Sequence, residues 1–175
     1  MTLGGLAKAV WGGLRIGWLR TDAALAARLS AVFGRRQLTV GLLDQLVATI
    51  LVRDLDAVLD QRREQLRTQR DALLAALAEL LPDWQVRPPA GGLSLWCALP
   101  PGLSSAALTA AAAPRGLLLA EGRAFGTGHV FDDRLRLPFT RPAAELRAAV
   151  EVLASLSETL RAGSGHPAVP ARTVV

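Results

Sequence analysis

All ten prolines of this chain lie at or beyond position 82, and none precedes it. Proline removes a backbone donor and blocks helix interiors, so residues 1–81 are free to run as long helices while the rest is cut into short elements. The architecture is therefore expected to change near Pro82.

Residues 14–19 read as a short buried strand bounded by glycines. Thr21 and Asp22 supply an N-cap for a helix to about Phe33, closed by Gly34. Leu42, Leu43, Leu46, Val47, Ile50 and Leu51 recur at helical spacing and mark a second helix over residues 39–54. A third covers residues 55–81, with Leu59, Leu66, Leu73, Leu77 and Leu80 on one face, Arg62, Arg63, Glu64, Arg67 and Arg70 mostly on the other, and Pro82 as its stop.

Beyond it, residues 84–87 and 93–99 read as strands around a Pro88-Pro89-Ala90-Gly91-Gly92 turn. Residues 104–113 form an Ala-rich helix ended by Pro114 and Gly116. Further strands fall at 117–120 and 134–139, the latter confined by Pro138 to an edge or a bulge. Pro142 opens a final helix through Leu146, Val150, Leu153 and Leu156 to about residue 160. The Pro-punctuated stretch 162–175 is expected to be disordered. Mixed helices and strands make the fold class α/β.

Composition closes off several functions. With 51% hydrophobic and 20% charged residues among 175, the chain is no wholly disordered segment and is long enough for one ordinary domain. The net charge of +5 comes with 15 acidic residues interleaved among the basic ones, which describes a mixed solvated surface rather than a nucleic-acid stripe. Cys97 is the single cysteine, so no internal disulfide forms, and Cys97, His129 and His166 are too scattered for a metal site. A reducing, cytoplasmic setting fits. His129 near Asp132 lacks a nucleophile elbow and reads as surface. Residues 3–19 are apolar, but their glycines, Lys8 and Arg15 oppose a signal peptide, and no later stretch has transmembrane length.

Lys8 is the only lysine; every other basic residue is arginine. An arginine keeps its proton, whereas a lysine amine can lose one and condense with a carbonyl. Arg15 follows in a Gly-rich frame where a forked guanidinium can approach an anion closely. An amine with an anion clamp points to a phosphorylated aldehyde. Taken alone, Lys8 is equally a surface lysine and Arg15 a strand-end cation. Trp11, Trp18, Trp84 and Trp96 read as core or rim aromatics, and Gly91 and Gly92 first as a turn.

The segment Lys8, Trp11, Gly13, Leu14, Arg15, Ile16, Gly17 and Trp18 resembles the Schiff-base segment of fold-type I pyridoxal 5'-phosphate (PLP) enzymes, the class I/II aminotransferases. It is most similar to the aminotransferase-like domain of MocR-type regulators in the GntR family. There Ser-x-Ser-Lys precedes Trp-x-Gly-Leu-Arg-Ile-Gly-Trp, and Gly5 and Ala7 stand here in place of the two serines. The resemblance extends over nearly all of residues 3–161. It takes in Arg70-Asp71-Ala72-Leu73, Pro89-Ala90-Gly91-Gly92-Leu93 with Trp96, Gly122 with Phe125, and Leu135-Arg136-Leu137 followed by Phe139. Leu66 stands where a tyrosine is common.

The resemblance implies an incomplete PLP-dependent transferase fold, the remnant of a large domain with an α+β small domain. Residues 1–54 would end the large PLP-binding domain, 55–81 form the connecting helix, 82–161 the small domain and 162–175 the tail. It assigns Lys8 to the Schiff base and proton transfer, Arg15 to the cofactor phosphate and Arg136 to the carboxylate of an amino-acid or 2-oxo-acid ligand. Arg134 is a near neighbour of Arg136, and an exposed strand arginine is the ordinary alternative. The cofactor aspartate, ring-stacking aromatic and asparagine of family members precede the lysine and are not in this chain. The implied function is amino-group transfer by a truncated form with little activity alone. The alternative is a non-catalytic PLP- or amino-acid-sensing module of a MocR-type regulator lacking its DNA-binding domain, with no direct DNA binding and no membrane contact. The intact family is expected to be homodimeric.

Overall fold

A computed structural model describes residues 1–36, 40–128 and 130–163. The chain divides into two compact units, Met1–Gln65 and a second beginning at Leu66. His129, His166, the expected helix start at Thr39 and the tail from residue 164 lie outside the described residues.

The first unit opens with a hairpin. Strand β1 (Thr2–Gly5) pairs antiparallel with β2 (Gly17–Arg20), with Gly4 opposite Trp18 and Gly5 opposite Gly17. Trp18's indole lies across Gly4, where any Cβ would collide with the ring. The expected buried strand over 14–19 is thus corrected to a later, exposed strand, because a two-stranded ladder has no second layer to cover it. Leu14 is buried, but in the loop.

Helix α1 (Ala23–Arg36) begins where Asp22 accepts the Leu25 N–H at 2.8 Å, and this contact holds the Asp22 carboxyl below its usual range. The helix runs through Gly34 instead of ending there, as one helical glycine costs only about 1 kcal/mol. Helix α2 (Leu42–Arg53) carries the expected stripe, yet only Ala48 is buried; Leu42, Leu43, Leu46 and Ile50 are more than half exposed. Ala48 packs with Leu6 and Leu14, and Val10, Ile16, Leu51 and Leu55 complete this small core. Helix α3 (Leu55–Leu80) continues the chain out of the first unit.

The second unit is a four-stranded antiparallel sheet with helices on one face. Strands β3 (Gln85–Val86), β4 (Ser94–Ala98), β5 (Ala120–Glu121) and β6 (Arg134–Pro138) lie in the order β3-β4-β6-β5. Leu95 and Cys97 of β4 and Leu135 and Leu137 of β6 alternate toward the core, as period-two strands require. They meet Leu73 and Leu77 of α3, Leu108 and Ala112 of α4 (Ser105–Ala112), and Val150 and Leu153 of α5 (Ala143–Gly163). Burying each such leucine contributes about 1.5–3 kcal/mol. Ser104 caps α4 by accepting the Ala107 N–H. Arg147 of α5 forks onto Glu79 of α3 at 2.7 and 2.9 Å.

Pro138 sits at the end of an interior strand rather than on an edge. Phe139 donates its N–H to Leu93 O at 3.0 Å, so the missing donor of Pro138 faces the β5 side, beyond the end of that two-residue strand. The expected strand at 117–120 forms only at Ala120–Glu121, followed by a tight 3-10 turn at Gly122–Phe125.

Candidate functional site

In the first unit the β1–β2 loop carries both basic candidates. Its neck is closed where Leu6 N–H donates to Ile16 O at 3.1 Å. Within it, Val10 N–H donates to Leu6 O at 2.8 Å and Leu14 N–H to Trp11 O at 3.0 Å, giving two consecutive turns. Lys8 lies in the first and Arg15 just after the second. The apolar loop residues Leu6 and Leu14 are each 2% exposed, whereas Lys8 and Arg15 are exposed. Burial of two leucines therefore pins a loop whose cations stay in water. Met1 to Arg20 contains no acidic residue, and neither Lys8 nor Arg15 has an ion-pair partner among the described residues.

Arg136 belongs to the second unit. It lies directly opposite Trp96 on one side and Ala120 on the other, on the sheet face away from the core. Its guanidinium carbon lies 5.7 Å from the centroid of the Phe125 ring. Trp96 makes edge contacts with Phe125 and Phe131 at 5.6 and 5.4 Å. Arg136 has no carboxylate partner among the described residues, while Arg134 lies 3.4 Å from Asp133. The two arginines, alike in sequence, thus differ in surroundings. Trp96 and Arg134 also line a cavity of about 630 Å³ with Arg87, Pro88 and Pro89.

Asp132, read from the sequence as a neighbour of His129, takes the Arg123 guanidinium, which donates through Nε to Oδ1 and through Nη2 to Oδ2, the latter at 2.7 Å. The pairing closes the loop that bears Phe125 and Phe131. Phe131, which sequence reasoning passed over, adopts φ 70°. Gly-rich sequence on both sides of Phe125 was the only signal of that loop. Among the described residues there is no cluster of potential metal ligands, and no helix is long and apolar enough to cross a membrane.

A family model described as aminotransferase class I and II matches residues 1–153. The chain belongs to that family. Aromatic-amino-acid aminotransferase 1 from Thermococcus litoralis is 29% identical over 158 residues, covering 87% of this chain and 37% of that protein. Among solved structures, a multiple substrate aminotransferase from Thermococcus profundus shares 27% identity and a TM-score of 0.76, covering 92% of this chain and 41% of the other. An α-aminoadipate aminotransferase from Thermus thermophilus, solved with N-(5'-phosphopyridoxyl)-L-leucine, gives a TM-score of 0.80 at 24% identity, with 91% and 42% covered. The fold is accordingly the α/β fold of PLP-dependent aminotransferases, and the chain spans well under half the length of these relatives.

Proposed function

We propose that this chain is the C-terminal part of a PLP-dependent aminotransferase domain, in which Lys8 and Arg15 hold the cofactor and Arg136 binds the carboxylate of an amino or 2-oxo acid. The observation that carries the reading is the placement of the only lysine on an exposed, leucine-pinned, acid-free loop together with Arg15.

The donor set of that loop fits PLP. A primary amine suits the aldehyde and a guanidinium fork suits the phosphate, with no carboxylate in the loop to repel it. Gly5 and Ala7 offer no hydroxyl, so Arg15 and backbone amides carry the phosphate contacts. When bound, PLP supplies the carbonyl and the electron-withdrawing ring on which amino-group chemistry depends. Lys8 Nζ would hold the aldehyde carbon until the substrate's own amine displaces it, and the freed amine would then move the proton at the substrate Cα. Arg136, whose N–H fork meets no carboxylate among the described residues, orients the substrate through both carboxylate oxygens.

Turnover requires the remainder of the domain that the relatives carry, so the chain alone has little activity. A second reading, a PLP- or amino-acid-sensing module of a MocR-type regulator, draws on the Trp-x-Gly-Leu-Arg-Ile-Gly-Trp likeness at Trp11 to Trp18. Amino-group transfer between an L-amino acid and a 2-oxo acid separates the possibilities. It is measured for the chain alone and for the chain joined in frame to its own upstream coding sequence. Transfer only in the joined form supports the enzyme, ligand binding without transfer supports the sensor, and full turnover by the chain alone contradicts the need for completion.

A further inference from the structure

We propose that Phe125 is a positioning residue for Arg136, and that the Arg123–Asp132 ion pair is the latch that keeps it in place. The inference rests on the reading of Arg136 as the carboxylate site and adds how that guanidinium is held.

A guanidinium on a strand is usually oriented by a carboxylate, but such a partner consumes the N–H fork that a ligand needs. Among the described residues Arg136 has no such partner and meets the Phe125 ring at 5.7 Å. An aromatic face attracts the positive charge through its quadrupole and accepts none of the five N–H groups in a conventional hydrogen bond. Phe125 therefore restrains the head of Arg136 while leaving its fork available.

The ring is itself held by a chain of contacts. Trp96 stands directly across the ladder from Arg136 and meets Phe125 edge-on at 5.6 Å, with Phe131 edge-on to the same indole at 5.4 Å. These rings remain half-exposed, Phe125 at 49% and Phe131 at 37%, so neighbouring side chains do not enclose them. Their placement comes from the loop. Gly122, at its start, abuts the carbonyl of Phe131 and would bring a Cβ to 2.7 Å from Arg134 O. Arg134 N–H donates to Phe131 O at 3.0 Å, and Asp132 O accepts the Ser105 N–H at 2.9 Å. The two-point Arg123–Asp132 pair then joins the residue after Gly122 to the residue after Phe131. A bidentate pair fixes direction as well as distance.

The test is NMR of the ¹⁵N-labelled chain, with the Arg136 Nε–H assigned by its loss in R136Q and propionate as the carboxylate probe. In the parent, ring current displaces the Arg136 side-chain resonances. Phe125→Leu is expected to abolish that displacement and weaken propionate binding about three- to tenfold, while Phe125→Tyr retains both. Asp132→Asn is expected to reduce both without unfolding the β4–β6 ladder, whose amide resonances report folding in every variant. Unchanged Arg136 resonances and unchanged affinity in F125L would overturn the positioning role even where R136Q abolishes binding. Equal propionate binding in the parent and R136Q would instead overturn the carboxylate site itself, and with it the use of the positioning.

Discussion

Gly122 lies against the carbonyl oxygen of Phe131, closer than any side chain at position 122 would allow. The contact is backbone to backbone, so no rotamer change relieves it. Gly122→Ala is expected to destabilise the chain by about 1–3 kcal/mol, as overpacking a buried position does. A lower urea midpoint together with loss of the Trp96–Phe131 contact in NMR would bear this out, whereas parental stability would show that the loop gives way freely.

The pairing of Glu79 with Arg147 sets a pH dependence. Hydrogen bonding to Arg147, and then its charge, hold the Glu79 carboxyl below its usual range. The native pKa lies under the unfolded one, so the unfolded state binds the proton more readily. The contribution is present above the unfolded value and disappears as pH falls through the native value. Both partners are solvent-exposed, so the effect is small. Glu79→Gln should lower the urea midpoint at neutral pH, with the difference closing in acid. A gap that persists at low pH would point to packing rather than charge.

Cys97 faces the core between sheet and helices, and burial pushes its thiol up to about 12. A thiol held neutral is a poor nucleophile. Ellman's reagent should therefore react slowly with the native chain at pH 8 and rapidly after denaturation. Fast native reaction would show that the second unit opens readily.

The helices were legible because their signals are local. Asp22 caps α1, the leucine spacing marks α3 and Pro82 ends it, and Ser104 and Pro142 open the last two. Strand β1 was missed because Thr2–Gly5 is rich in glycine and becomes a strand only by pairing with β2. The 3-10 turn after β5 and the latch of Arg123 on Asp132 depend on residues brought together by the loop's path. Lys8 and Arg15 could be singled out by composition and motif. Arg136 was favoured over Arg134 by the resemblance alone, and their different neighbours, Phe125 beside one and Asp133 beside the other, were not legible in the sequence.

The central claim is that Lys8 and Arg15 form a PLP-binding loop, and trapping the cofactor tests it most directly. The chain is mixed with PLP, its absorbance recorded, then reduced with borohydride and peptide-mapped, with Lys8→Ala and Arg15→Gln alongside. Because Lys8 is the only lysine, the α-amine at Met1 is the one competing amine. The account predicts a new absorbance band, a phosphopyridoxyl adduct on Lys8, no band in Lys8→Ala and weaker labelling in Arg15→Gln. Labelling confined to Met1, or a spectrum equal to that of free PLP, would contradict it.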